Sequence, residues 1–390
     1  MRVAHVITRM IIGGAQENTL FNCQDLIRIY GDDVLLITGP AIGPEGDLLE
    51  QGRGGGVPLT VLTDLRRQID PRLDFQAYGA LRRTLQAFSP DVVHTHSAKG
   101  GFLGRLAASS IGIRAIIHTV HGAPFHAYQS VFARRLFRWC ERYAARRCHA
   151  LVSVADAMTE LLVKNRIAPR EKFTTVYSGM DVGPFLHANE QREAVRREFD
   201  FHPEHVVIGK IARLFHLKGH GDLLAAAEHI IQQCPQVRFL LVGDGKLRES
   251  FGQSIRDAGL TDYFRFAGLV EPARVPAMIG AMDALVHVSL REGLARALPQ
   301  ALIAGKPVVS YDIDGAREVV VPGETGFLVP PRDIGLLADA LVRLAGDANL
   351  RERFGQCGRA RFTDRFRHET MTAQLRQLYE RLLKDSTPDT

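Results

Sequence analysis

No run of about 18 apolar residues occurs in the 390-residue chain, so the sequence offers no membrane-spanning helix. The opening residues run straight into an apolar strand at 3–8 and lack the apolar segment and cleavage site of a secretory signal. The five cysteines, Cys23, Cys140, Cys148, Cys234 and Cys357, are scattered and odd in number. None forms a C-x-x-C pair, which argues against a disulfide framework or a zinc site and fits a reducing compartment. There is no basic tail and no strip of interleaved aromatic and basic residues, so nucleic acid is not an expected partner. The first strand-to-helix turn lacks a full G-x-G-x-x-G, which argues against a nicotinamide dehydrogenase. The expectation is a cytoplasmic protein, either free or peripheral on the cytoplasmic face of a membrane.

What is present is an ordinary globular composition, 46% hydrophobic and 24% charged. The length suits two α/β domains of roughly 180 residues each. The net charge of +6 suits an anionic ligand or an anionic membrane surface, and equally a plain soluble protein.

Short apolar runs alternate with helical patterns. In the first half, strands are predicted at 3–8, 34–38, 59–62, 92–95, 115–120, 151–154 and 174–177, and helices at 15–28, 75–88, 100–109, 132–148 and 155–165. A turn-rich stretch at 177–185 and a polar helix at 190–199 interrupt the series. Strands then recur at 206–212, 239–242, 264–266, 284–288, 307–311 and 326–329. The helices of this half fall at 222–233, 247–258, 299–304, 333–344, 350–362 and 368–384. Uninterrupted apolar strands separated by helices indicate parallel sheets covered on both faces. The expected fold is α/β, with two Rossmann-like doubly wound domains facing a cleft, spanning 1–182 and 183–366, and a last helix at 367–390 packing back toward the first.

Ligand chemistry belongs at the carboxyl ends of such strands. After the first strand, Gly13 and Gly14 precede a helix, a pattern that serves a tight turn or a close approach of backbone to ligand. After the strand at 206–212, Arg213 and Lys218 flank a loop that opens a helix. A guanidinium fork and an ammonium point charge at a helix N-terminus suit a diphosphate. After the strand at 284–288, Glu292 lies in an irregular turn, and Pro299 marks the first turn of a helix that carries Gln300. A carboxylate and an amide there suit sugar or ribose hydroxyls, although a Glu near a helix start also serves as a cap.

With these motifs in order, the sequence resembles family 4 of the glycosyltransferases, a retaining family of the GT-B fold that includes bacterial surface-polysaccharide enzymes. Gly13-Gly14-Ala15-Gln16 resembles its N-terminal glycine loop. His94-Thr95-His96 through Gly104-Arg105-Leu106-Ala107, and His118-Thr119-Val120-His121-Gly122, resemble its first-domain signatures. Arg213 through Lys218-Gly219, Val242-Gly243-Asp244-Gly245, Phe266-Ala267-Gly268 and Glu292-Gly293 through Gly305-Lys306-Pro307-Val308 complete the order. One position departs from the pattern: the family's Glu-x7-Glu is here Glu292 and Gln300, an amide without charge.

The resemblance implies an acceptor-binding first domain and a donor-binding second domain in a hexosyltransferase-type enzyme. Its donor would be a nucleotide sugar, UDP- or GDP-linked, with no further cofactor. Arg213 and Lys218 would hold the donor diphosphate, Glu292 and His121 the transferred sugar, and Gln300 the ribose. Gly268, Leu269 and Val270 would frame the base. Gly13, Gly14, Gly243, Asp244, Gly293, Leu294, Ala295 and Arg296 would complete the donor site. No protein nucleophile is implied, and the departing diphosphate would help deprotonate the acceptor. No metal is expected, since Asp312-Ile313-Asp314 has metal-site spacing but follows a later strand. The acceptor would be a glycan or a polyprenyl-linked sugar. The basic amphipathic stretch 132–147, with Phe132, Leu136, Trp139 and Tyr143 at helical spacing, either rests on an anionic membrane surface or packs on the sheet. A nucleotide-sugar epimerase of the same architecture and a non-catalytic sugar-nucleotide binder remain as alternatives.

Overall fold

The computed structural model describes residues 1–42, 46–49, 55–126 and 129–385. The chain divides into two compact units, one made of Met1–Met180 and the segment from Arg365 onward, the other of Asp181–Asp364. Residues 386–390 of the expected last helical segment lie outside the described residues.

The first unit runs β1 (Arg2–Arg9), α1 (Gly14–Arg28), β2 (Asp33–Gly39), β3 (Leu59–Val61), α2 (Pro71–Phe88), β4 (Val92–His96) and α3 (Ala98–Ser110). It continues through β5 (Ala115–Val120), α4 (Val131–Ala145), β6 (Ala150–Ser153), α5 (Asp156–Lys164) and β7 (Phe173–Thr175). Its seven strands pair in parallel in the order β3-β2-β1-β4-β5-β6-β7. The strands are largely apolar because helices cover both faces, with buried histidines and threonines on β1, β4 and β5 as the polar positions. α2 begins four residues before its expected start. The Asp70 side chain accepts from Arg72 N and Leu73 N at 3.0 and 3.1 Å, and Pro71 occupies the first turn, where its missing N–H costs nothing.

The second unit comprises α6 (Gly183–Leu186), α7 (Arg192–Glu198), β8 (Val206–Ile211), α8 (His220–Gln233), β9 (Val237–Val242), α9 (Arg248–Asp257) and β10 (Phe264–Gly268). Then follow α10 (Val275–Ala281), β11 (Ala284–His287), α11 (Ala297–Ile303), β12 (Val308–Tyr311), β13 (Gly326–Val329), α12 (Ile334–Gly346) and α13 (Ala348–Phe362). The sheet order is β10-β9-β8-β11-β12-β13, again parallel. The sequence patterns did not indicate α10. Its residues from Pro276 to Ala281 are all buried, so it has no polar face to set a helical period. A Cβ on its Gly280 would stand 1.9 Å from the Ala188 carbonyl oxygen, which explains a glycine inside a helix.

Helix α14 (His368–Asp385) belongs to the first unit, far in sequence from the sheet it covers. Met371, Leu375, Leu378 and Tyr379 enter the same core cluster as Val3, Ile7, Leu36 and Ile117. His368 Nδ1 and Thr372 Oγ1 both reach Asp25 Oδ2, at 2.8 and 2.9 Å. Arg376 Nε donates to Asp32 Oδ2 at 3.1 Å. The Tyr379 hydroxyl accepts from Asn22 Nδ2 at 3.2 Å and pairs with His94 Nδ1 at 2.5 Å.

That last contact leads into a buried histidine array on the central strands. His94 Nε2 pairs with Thr119 Oγ1 at 2.7 Å, and His118 Nδ1 with Thr95 Oγ1 at 2.9 Å. His5 Nδ1 and His96 Nε2 are 3.0 Å apart. Burial pushes His5 down to about 3, and burial together with neighbouring charged or ionisable groups holds His94, His96 and His118 well below the usual range. These rings are neutral when folded but titrate near 6.5 when unfolded, so the unfolded chain binds more protons below that pH and stability falls with it. Between pH 7 and pH 5 each of these four rings is expected to cost about 2 kcal/mol of stability. Urea midpoints of the first unit's transition at the two pH values measure this, and an unchanged midpoint would mean that the rings do not remain neutral.

Candidate functional site

In the second sheet β8 lies between β9 and β11, so its connections depart in opposite directions and a crevice opens beyond the carboxyl ends of β8 and β11. The loop after β8 carries Arg213 and Lys218, and the loop after β11 carries Glu292. Leu290 N donates to Leu217 O at 2.8 Å, stitching the two loops together. Gly219, the N-cap of α8, has φ 67°, and a Cβ there would lie 1.9 Å from Val288 O. Only glycine permits that approach. Lys218 Nζ then forms an ion pair with the Glu292 carboxylate, both side chains being half-buried. On the other side, Glu292 N donates to Asp314 Oδ2 at 2.7 Å and Gly315 N to Gly293 O at 3.1 Å.

Burial opposes ionisation of Glu292, but His287 and the Lys218 ammonium outweigh it and hold the carboxyl at about 2. His287 Nε2 stands 3.4 Å from Glu292 Oε1, long for a hydrogen bond. Burial also lowers His287, against the pull of Glu292. Beneath them Lys210 is fully buried on β8, its Nζ has no hydrogen-bond partner among the described residues, and burial followed by repulsion from Lys218 lowers it to about 7. Sequence reasoning passed over His287 and Lys210. The signal available was one polar residue inside each apolar strand run.

The other expected donor-site residues occupy the same edge of this sheet. Arg213 is exposed, its guanidinium 5.1 Å over the Phe215 ring. Gly243 follows β9 with φ 130°, and a Cβ there would lie 2.2 Å from Ala212 O. Gly243 N donates to Gly268 O at 2.8 Å, and Leu214 N to Asp244 O at 3.0 Å, tying the ends of β8, β9 and β10 together. Leu269 is exposed and Val270 half-buried just past β10. Leu294 and Arg296 are half-buried and Ala295 buried, leading into α11. That helix starts at Ala297, so Pro299 is its third residue, where the missing N–H still falls among the unpaired first-turn donors. Gln300 follows, half-buried.

Gly13, Gly14 and His121 lie in the first unit, at the carboxyl ends of β1 and β5. Gly13 is extended, φ 175°, and its carbonyl accepts from Glu17 N at 3.0 Å to open α1. His121 Nε2 lies 3.2 Å from His96 Nδ1, which makes it the outer end of a chain running through His96 to His5. His5, His94 and His96 also bring ligand atoms within 4.8 Å of one another, a spacing open to a metal ion, although two of those atoms already pair across the 3.0 Å contact.

Lys210 offers a test of these electrostatics. Folding removes its proton affinity between about pH 7 and 10.5, so its cost to stability is largest below pH 7 and fades toward pH 10. Lys210→Met is expected to stabilise the protein by about 1–4 kcal/mol at pH 7, and by less at pH 9.5, in urea titrations. A less stable variant would show that the ammonium is compensated in the folded state.

Comparison with known proteins agrees with this architecture. Residues 28–179 match the description "Glycosyl transferase 4-like domain" and residues 191–361 match "Glycosyl transferases group 1". The UDP-Gal:alpha-D-GlcNAc-diphosphoundecaprenol alpha-1,3-galactosyltransferase of Escherichia coli is 27% identical over 350 residues, covering 89% of this chain and 88% of that protein. The 2-deoxystreptamine N-acetyl-D-glucosaminyltransferase of Streptomyces fradiae is 33% identical over 284 residues, covering 70% and 65%. Among solved structures, Anabaena Alr3699/HepE in complex with UDP superposes with a TM-score of 0.81 at 23% identity, over 98% of this chain and all of that one. Sucrose-phosphate synthase from Thermosynechococcus elongatus gives 0.81 at 20% identity, over 99% of this chain and all of that one. The chain therefore belongs to the family-4-like glycosyltransferases, hexosyl-transferring enzymes built as two Rossmann-like domains on the GT-B fold.

Proposed function

We propose that the enzyme moves a hexosyl or related sugar from a UDP-sugar to a hydroxyl of a glycan or lipid-linked acceptor, with retention of anomeric configuration. The observation that carries this reading is the Lys218–Glu292 pair at the β8/β11 switch point, with Arg213 on the same loop as the lysine. UDP is favoured over GDP because the Escherichia coli relative is named for UDP-Gal and the Anabaena structure holds UDP.

In this reading the bond between the sugar C1 and the donor diphosphate breaks and a bond from C1 to the acceptor oxygen forms. The acceptor proton leaves with a diphosphate oxygen. Negative charge grows on the diphosphate, where Arg213 and Lys218 stabilise it most as the bond breaks. Glu292 is a carboxylate at any physiological pH, since its carboxyl is held at about 2, and it would grip a hydroxyl of the transferred sugar. His121, its ring held by His96, would be a further sugar-binding residue. Gly268, Leu269 and Val270 would frame the base, and Gln300 would meet the ribose.

The exposed Phe132 and Trp139 on α4, flanked by Arg134, Arg135 and Arg138, support a peripheral seat on an anionic membrane surface. No helix among the described residues is long and apolar enough to cross a membrane.

Arg213→Ala is expected to lower turnover by roughly 10²–10³ while the protein remains folded, as for loss of one transition-state donor. Near-normal turnover with a panel of UDP-sugars would remove the assignment. Gln300→Ala is expected to raise the donor KM, with a loss of about 1–3 kcal/mol where ribose hydroxyls are left unpaired, and Gln300→Glu to retain activity. If the unmodified protein binds donor without transfer or hydrolysis and Gln300→Glu restores both, the chain is a sugar-nucleotide binder instead.

A further inference from the structure

Asp314 follows β12 and holds a backbone angle that residues with side chains seldom adopt, φ 45°. Glycine takes this left-handed region without strain, and asparagine and aspartate are the side chains that tolerate it best. The carboxylate is also unfavourably placed. Burial and the neighbouring charge of Glu292 raise its proton affinity, against the pull of the Glu292 N–H and of Arg291. A residue that carries both strain and like-charge repulsion points to a role for its side chain.

That side chain makes one contact that glycine could not. Its Oδ2 accepts from Glu292 N at 2.7 Å, and beside it Gly315 N donates to Gly293 O at 3.1 Å. The two bonds clip the loop after β11 to the loop after β12. The second loop is itself braced. Asp312 N donates to Val329 O on β13 at 2.9 Å, Ala316 N closes back on Ile313 O at 3.0 Å, and Arg317 Nη2 donates to Asp312 Oδ2 at 2.8 Å. A firm bracket therefore holds the backbone of Glu292 on one side, while Leu290 N, bonded to Leu217 O at 2.8 Å, holds its loop on the other.

Charge acts in the same direction. The Lys218 ammonium draws the Glu292 carboxylate toward the loop after β8, and the Asp314 carboxylate repels it from the β12 side. The Asp314 bond is open to water, so its hold on Glu292 is strongest when a bound donor displaces that water.

We infer that Asp314 is a positioning residue for the transfer reaction, fixing the loop that presents Glu292 to the transferred sugar. It acts through Glu292, and it rests on the reading of that residue proposed above.

Hydrogen exchange at the Glu292 amide reads the clip without any substrate. Asp314→Gly, which keeps the backbone angle and removes the acceptor, should speed that exchange by about tenfold or more. In hydrolysis of UDP-glucose and UDP-galactose it should lower kcat/KM by about tenfold or more, while UDP affinity by calorimetry changes by less than about threefold. Asp314→Asn, which keeps an acceptor and tolerates the angle, should recover most of the loss. In a Glu292→Ala background, Asp314→Gly should lower kcat/KM by less than about a further twofold, because the clip acts through Glu292. General weakening of the fold would instead reduce UDP affinity and add in full to Glu292→Ala. Unchanged exchange, normal kcat/KM in Asp314→Gly, or a loss undiminished in the Glu292→Ala background overturns the inference. If the exchange responds but the unmodified protein binds no UDP, the donor reading fails instead.

Discussion

Lys218 and Glu292 lie 74 residues apart in the chain and meet across two loops that leave adjacent strands of one sheet. The carboxylate is largely removed from water, which opposes ionisation, and an imidazole and a cation beside it outweigh that burial. The lysine is delivered by a loop that Gly219 lets pass within reach of the β11 carbonyls. A donor diphosphate entering this crevice would find the lysine already aimed and the carboxylate already charged, so little reorganisation accompanies binding.

Buried Lys210 shows the other side of that design. Its ammonium lies under the pair with no hydrogen-bond partner, and this costs folding stability. To the extent that Lys210 is protonated, it raises the potential at the crevice proposed for the donor. Stability and binding are opposed at this residue, as is common where a site needs one sign of charge.

The first unit handles burial differently. Its central strands carry histidines where neighbouring positions are apolar, and almost every imidazole nitrogen finds a hydroxyl, a carbonyl or another imidazole. Among the described residues, His5 Nε2 is buried without a partner. The chain of rings ends at His121, so the outermost imidazole is held by an interior that stays neutral at ordinary pH. Tyr379 closes the array from α14, which makes the C-terminal helix a structural member of the unit at the opposite end of the sequence.

The alternation of apolar runs with helical patterns was legible in the sequence because it depends on local periodicity and on turn residues such as the glycines at 13, 219 and 243. That placed Arg213, Lys218 and Glu292 at strand ends. Local pattern also misjudged helices, α2 and α10 among them. The start of α2 depends on a side-chain cap at Asp70, and α10 has no polar face to betray its period. Strand order, and hence which loops share a crevice, was decided only by tertiary packing, since it depends on which apolar faces bury one another. The same packing turned a lysine and several histidines in apolar runs into buried groups with displaced proton affinities.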